Sequence, residues 1–433
     1  MHFLKASKRL QSDDKYGPHV TLDLVMSEYE NTGTILSFFS MVLVRFSSLR
    51  LINKAITQCI ANYPWMDRWA SNVVHNVKKT RYSLEDYSNI VNLDYWHKCF
   101  PSANCADLDF GKRFAQPPDA AKYLFGTQFV ILGTRNSAGI QTGIFLHDSD
   151  MPWLRFAKYV KLINQSGISV QGLTKLDNVE ILYLGSCVTS DLRGSSLAPL
   201  KNLKKLHIGN GILLDDASLE GLSHLRYLEI DPDHNPLFSD AGLQHLVSLE
   251  TLLIYQHSPH FGNMHSITGS CFAHMVNLTV LNMVYRTDIL DSSFAFLSNL
   301  LELDARHCTQ VTDDCLKHLT RILKLNISHC TQVTDRGLSF LAGVQQLAMV
   351  GCSQDTISDR GLARLRGIQW LDMSHCTQST ITDASATFLA QVPDLCMYGC
   401  FQDSLTLANL FGVKAYCEGL RRNAVEYSEF QLA

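Results

Sequence analysis

Neither sign of charge dominates this chain of 433 residues: 37 lysines and arginines stand against 41 aspartates and glutamates, for a net charge of −4. No basic run is long enough to act as a phosphate-binding stripe, so nucleic acid is not an expected partner. Long apolar runs are missing too. The longest, Ile35 to Val44, is interrupted by Ser37 and Ser40 and falls well short of the ~20 residues that span a bilayer, so no membrane association is expected. Met1 to Arg9 has basic character but no apolar segment resembling a secretory signal, and a mitochondrial presequence is the alternative reading of that stretch. The signatures GxSxG, GxxxxGK[ST], HExxH and a strand-to-helix GxGxxG are all absent. Neither catalytic chemistry nor a cofactor is therefore expected. At 46% hydrophobic and 18% charged residues, the chain still has ample core material for a globular fold.

What the sequence has is a repeat. HCTQVTD runs from His307 to Asp313 and again from His329 to Asp335, and HCTQSTITD runs from His375 to Asp383. The generating unit, LxxLxLxxCxxxTDxxLxxL, has first apolar positions at Val179, Leu203, Leu225, Leu249, Leu278, Leu300, Ile322, Val344, Ile368 and Val392, spaced 24, 22, 24, 29, 22, 22, 22, 24 and 24 residues apart. Weaker copies start at Leu154 (Leu154, Ala157, Tyr159) and at Cys105 (Cys105, Leu108, Phe110), so the array begins near residue 100 or 150. Each unit pairs a period-2 segment with a period-3.6 segment, which predicts one short strand followed by one helix. From Ile322, residues Leu325 and Ile327 point one way and Lys324, Asn326 and Ser328 the other. Such a unit cannot bury its apolar face alone. Stacked copies can, with parallel strands on a concave side and helices outside. Over roughly residues 150 to 412 the chain resembles the leucine-rich repeat family in its cysteine-containing subtype. The expected fold class is α/β, a right-handed leucine-rich repeat solenoid or horseshoe with a small helical element before it.

The ninth position is cysteine at Cys187, Cys308, Cys330, Cys352, Cys376 and Cys400. A small weak donor there can reach loop carbonyls, which predicts a buried row of reduced thiols. The odd total of 13 cysteines also argues against a disulfide framework and for the cytoplasm or nucleus. His307, His329 and His375 each precede one of these cysteines. In an extended segment neighbouring residues face opposite ways, so the pairs cannot close one metal shell and no metal site is expected. The imidazoles should instead form a polar rim. The recurring Thr-Asp pairs are read as helix caps.

Positions three, five, seven and eight of each unit are expected to face solvent on the concave side and to form the partner-binding surface. The large groups there are Tyr183, Tyr227, Tyr255, Tyr285, Arg306, Lys324, Trp370 and Tyr398, accompanied by Lys205, His207, Glu229, Asp304, Asn326 and Asp372. Exposed aromatics and arginine are the residue types that most often anchor protein interfaces. The 29-residue unit carries an insertion between Tyr255 and Ile267 that is either a further contact loop or plain surface.

Residues 34 to 69 do not match the repeat, and their apolar positions fall at helical spacing. Ile35-Leu36-Ser37-Phe38-Phe39, then Ser48-Leu49-Arg50-Leu51-Ile52-Asn53-Lys54, then Trp65 or Trp69 resemble the F-box family, with Asn31-Thr32-Gly33 where that family has a Leu-Pro pair. The resemblance implies that Leu36, Phe39, Leu49, Leu51, Ile52 and Trp65 bind the adaptor subunit of a cullin-RING ubiquitin ligase, while the repeats hold a protein substrate. A helical cap on a repeat scaffold within a larger assembly is the other reading, with a protein assembly partner in place of a substrate. The expected division is a tail over 1–30, an F-box-like element over 31–70, a connecting region with degenerate repeats over 71–150, leucine-rich repeats over 151–404 and a helical cap over 405–433.

Overall fold

The computed structural model describes residues 105–107, 129–132, 146–163, 167–185, 193–194, 197–209, 214–230, 238–256, 267–400 and 402–405. The F-box-like element, the insertion at 257–266, Cys187 and nearly all of the C-terminal cap lie outside these residues. Two compact units divide the chain, one comprising 1–144 and 152–157, the other 145–151 and 158–433. In the first, β1 (Cys105–Asp107) runs parallel to β2 (Phe129–Leu132), with Cys105 opposite Phe129. Strand β2 was not anticipated, and the 24-residue offset within that pair is one repeat.

The second unit contains eleven parallel strands in chain order: β3 (Tyr159–Ile163), β4 (Ile181–Gly185), β5 (Lys205–Ile208), β6 (Tyr227–Ile230), β7 (Thr251–Leu253), β8 (Val280–Asn282), β9 (Glu302–Asp304), β10 (Lys324–Asn326), β11 (Gln346–Ala348), β12 (Trp370–Asp372) and β13 (Asp394–Cys396). The weak copy read from Leu154 is corrected by three residues. Val160 and Leu162 are the buried pair of β3, which makes Ala157 the first position and turns Tyr159 outward. The register then sets one leucine of each strand against the next: Leu182, Leu206, Leu228, Leu252, Leu281, Leu303, Leu325, Leu347, Leu371 and Leu395. Each is at most 2% exposed. Removing such a side chain from water contributes about 1.5–3 kcal/mol, so this column is the spine of the array.

The helical layer is shorter than a 3.6-residue periodicity suggests. It consists of four- or five-residue helices at α1 (Val170–Leu173), α2 (Asp216–Leu219), α3 (Asp240–Leu243), α4 (Asp313–Leu316), α5 (Asp335–Ser339), α6 (Asp359–Leu362) and α7 (Ala386–Leu389). Two repeats use 3₁₀ turns instead, over Ser270–His274 and Asp291–Phe296. Thr334 caps α5 by accepting a hydrogen bond from the Arg336 amide at 3.1 Å. The aspartate beside each such cap serves another helix. Asp335 accepts from the amide and hydroxyl of Ser358, the cap of α6, at 2.7 and 2.5 Å. Asp313 does the same for Thr334 and Asp359 for Thr382. The Thr-Asp pairs are thus caps of two kinds, one within a repeat and one between repeats.

Candidate functional site

Behind the strands, the ninth-position thiols form the expected inward row. Cys308, Cys330, Cys352, Cys376 and Cys400 donate to the carbonyls of Met283, Ala305, Ile327, Met349 and Met373 in the preceding repeats, at 3.0 to 3.2 Å. Cys400 is only half-buried and the other four are buried. Burial pushes the Cys308 thiol up to about 12 and the Cys352 thiol up to about 11, and holds Cys330 and Cys376 up as well. Protonated thiols in this setting are donors, and their role is to satisfy carbonyls at the end of each strand.

The histidines before them do face out, but for a different reason from the extended alternation expected. Tyr285, His307, His329 and His375 have φ of 61°, 59°, 62° and 58°, and Gly351 and Gly399, at the same eighth position, have 65° and 74°. This left-handed turn aims the side chain over the next repeat. Tyr285 stacks on His307 and His307 on His329, each with ring centroids 4.2 Å apart. Tyr285 therefore belongs to this file of rings and not to the strand face. Burial lowers the affinity of His307 and His329 for protons, and neighbouring positive charge adds to it: His329 and Arg306 beside His307, His375 beside His329. Among the described residues no group of three or more His, Cys, Asp or Glu is placed to hold a metal ion.

The side of the sheet opposite the leucine column carries the other candidates. Across β3 to β6, register brings Lys161, Tyr183, His207 and Glu229 into one line. Lys161 Nζ lies 4.7 Å from the Tyr183 ring centroid, and Tyr183 stacks on His207 at 3.8 Å. His207 Nδ1 meets Glu229 Oε2 at 2.9 Å, and the Tyr227 hydroxyl donates to that same oxygen at 2.6 Å. Burial raises the Tyr227 phenol, helped by the Glu229 charge. Glu229 is held below the usual carboxylate range because the bonds from His207 and Tyr227, with the His207 charge, outweigh its burial. Farther along, Lys324 pairs with Glu302 at 2.8 Å, and Trp370 sits half-buried in the same row, opposite Gln346. Tyr255 is half-buried beyond β7, and Tyr398, 46% exposed, meets His375 edge-on at 5.3 Å.

Three residues expected to face solvent do not. Asp304, Asn326 and Asp372 are buried at 7, 4 and 6% exposure. Each bends back to accept from the backbone amide two residues on, closing its own strand: Asp304 from Arg306, Asn326 from Ser328 and Asp372 from Ser374. Arg306 is consequently no free anchor. Its Nε and Nη2 grip both oxygens of Asp304 at 2.9 to 3.1 Å, while burial pushes the Asp304 carboxyl up against that pull.

No protein-family model matches the chain, and no curated protein does. Solved structures do. An internalin from Listeria monocytogenes aligns with a TM-score of 0.52 at 19% identity, over 82% of this chain and 96% of that one. A leucine-rich repeat protein of Leptospira interrogans aligns with a TM-score of 0.52 at 15% identity, over 83% and 91%. The fold is that of a leucine-rich repeat protein. The yeast Rad7 and Elc1 complex aligns at a TM-score of only 0.34 and 16% identity, too loosely to bear on function.

Two features of these leucine-rich repeats escaped the sequence. Lys161 was missed because the repeat around it was read from Leu154 in place of Ala157. The aspartate relay between helices left one unused trace, a glycine two residues after the aspartate. Built Cβ atoms on Gly242, Gly337 and Gly361 would come within 2.6 Å or less of an oxygen of Asp216, Asp313 and Asp335, so only glycine admits the incoming carboxylate.

Proposed function

We propose that this chain is a non-enzymatic protein-interaction module that holds a polypeptide on the strand face opposite the leucine column and acts as the substrate receptor of a cullin-RING ubiquitin ligase. The observation that carries the first part is the row Lys161, Tyr183, His207, Glu229, whose groups are already positioned against one another on rigid strands. Pre-ordered aromatic and charged groups bind with little further loss of side-chain entropy. The leucine-rich repeat fold supports a protein partner in general. Tyr183, Tyr227, Tyr255, Trp370 and Tyr398 are the proposed anchors, Lys324 a supporting contact, and Arg306 a group that holds Asp304 in place. The receptor role rests on the F-box resemblance of residues 34–69, with Leu36, Phe39, Leu49, Leu51, Ile52 and Trp65 as the adaptor-binding set.

Affinity purification of the full chain tests both parts. The ligase adaptor should co-purify, and Leu49→Asp or Ile52→Asp should abolish it, because burying a charge without a partner costs several kcal/mol. Trp370→Ala should leave adaptor capture intact while weakening substrate capture about thirtyfold, the loss of a hot spot of ~2 kcal/mol. A fixed set of structural proteins without the adaptor would support the repeat-scaffold reading instead.

A further inference from the structure

Three exposed arginines on the helical layer have no counter-ion. Two residues after the caps Thr334, Ser358 and Thr382 stand Arg336, Arg360 and Ala384, and six residues after them stand Phe340, Arg364 and Phe388. Phe388 is half-buried and the other five are exposed, as is Arg366 beyond Arg364. None of these positions is acidic. The aspartates that start α5 and α6, Asp335 and Asp359, are taken up by the caps Ser358 and Thr382 of the next coils. Arg336 reaches back to Asp314 at 3.3 Å and lies over the Phe340 ring at 5.9 Å. Arg360, Arg364 and Arg366 meet no carboxylate among the described residues. Like charges four residues apart, as Arg360 and Arg364 are, repel one another, so the free protein holds a small unrelieved strain at this point.

We infer that the outer patch centred on Arg360, Arg364 and Arg366, with Phe340 and Phe388 in the coils on either side, docks an acidic segment of a partner protein. The charge of the patch indicates the occupant. A guanidinium accepts a carboxylate through two parallel hydrogen bonds, and carboxylates placed among these three would also relieve their mutual repulsion. The flanking phenylalanines supply apolar contact to the rest of a polypeptide, and arginine and aromatic residues are the types enriched where proteins meet. A phosphate polymer fits less well, because the unpaired arginines are confined to one coil and the chain as a whole carries a net charge of −4. The patch lies on the helical layer, away from the strand face proposed above, and stands whether or not that face holds a substrate.

Fluorescence anisotropy of a labelled hexaglutamate peptide with the full chain, at about 20 mM salt, tests the patch. Saturable binding is expected. Arg364→Glu/Arg366→Glu should weaken it about tenfold, the worth of two exposed charge-assisted contacts, and should leave the melting temperature unchanged because neither side chain is buried or paired. Lys175→Glu/Lys201→Glu makes the same change of charge at exposed positions in distant coils and should alter the affinity by no more than about twofold. Absence of saturable binding, an equal loss in the lysine pair, or tighter binding of a labelled hexathymidylate than of hexaglutamate would each overturn the proposal.

Discussion

Arg306 and Asp304 form a partly buried pair in which the arginine is 32% exposed and the carboxylate 9%. Truncating Arg306 to alanine leaves a buried acid uncompensated. The expected cost is about 2–3 kcal/mol, at the lower end for a broken buried pair because solvent reaches the guanidinium. Thermal unfolding checks this, and Asp304→Asn combined with Arg306→Ala should recover at least half of the loss. An Arg306→Ala melting temperature equal to wild type would refute the pairing. The thiols give a second residue-scale expectation. Cys308, Cys330, Cys352 and Cys376 should resist iodoacetamide in native protein, since burial keeps them protonated, while half-buried Cys396 and Cys400 react sooner than these four. Mass mapping after brief alkylation would contradict this by finding the four modified without denaturant. The thiol row was legible in the sequence because spacing alone selects one inward position per repeat. The loss of Asp304, Asn326 and Asp372 from the solvent face was not, because alternation says which way a side chain starts and nothing about a short one turning back to its own backbone.

The ring file and the aspartate relay belong to the scale of elements. His307 and His329 bind protons less readily folded than unfolded, so their contribution to stability is complete above the unfolded value of 6.5 and is lost as the pH falls below it, levelling off beneath the folded values. Moving from about pH 7.5 to about pH 5.5 should lower the urea midpoint of the wild type more than that of His307→Gln/His329→Gln. Equal drops would show that the stack is indifferent to charge. For the relay, Asp335→Ala strips the amide and hydroxyl of Ser358 of their acceptor at once. About 1–3 kcal/mol should be lost, with hydrogen exchange rising first in α6, the helix that Ser358 caps, and a rise confined to α5 would contradict the relay. Strand and helix order could be read from the period of the apolar positions. The left-handed turn before Cys308, Cys330, Cys352, Cys376 and Cys400 could not, because histidine and tyrosine carry no bias to positive φ strong enough to outweigh a strand pattern.

At the scale of the whole array, each repeat touches its neighbours, and the leucine column is one side chain deep. Leu325→Ala should cost about 2–5 kcal/mol, with the loss of exchange protection centred on β9 to β11 and fading outward. Uniform loss across all strands would mean that the array melts as one block. The solenoid class was legible because ten copies of one unit average out local ambiguity, whereas the contents of the proposed binding face were not, because they differ from copy to copy. Three of the side-chain links between repeats also have a direction. An aspartate reaches forward to the next cap, a ring leans forward over the next turn, and a thiol reaches back to a carbonyl already in place. A chain leaving the ribosome from its amino end thus meets, at each new unit, a finished template holding an acceptor for the incoming cap and an acceptor for the incoming sulfhydryl. Assembly can proceed one coil at a time as synthesis advances, each new coil also supplying carbonyls to amides that the coil before it left open, as Asn326 does for Ala305.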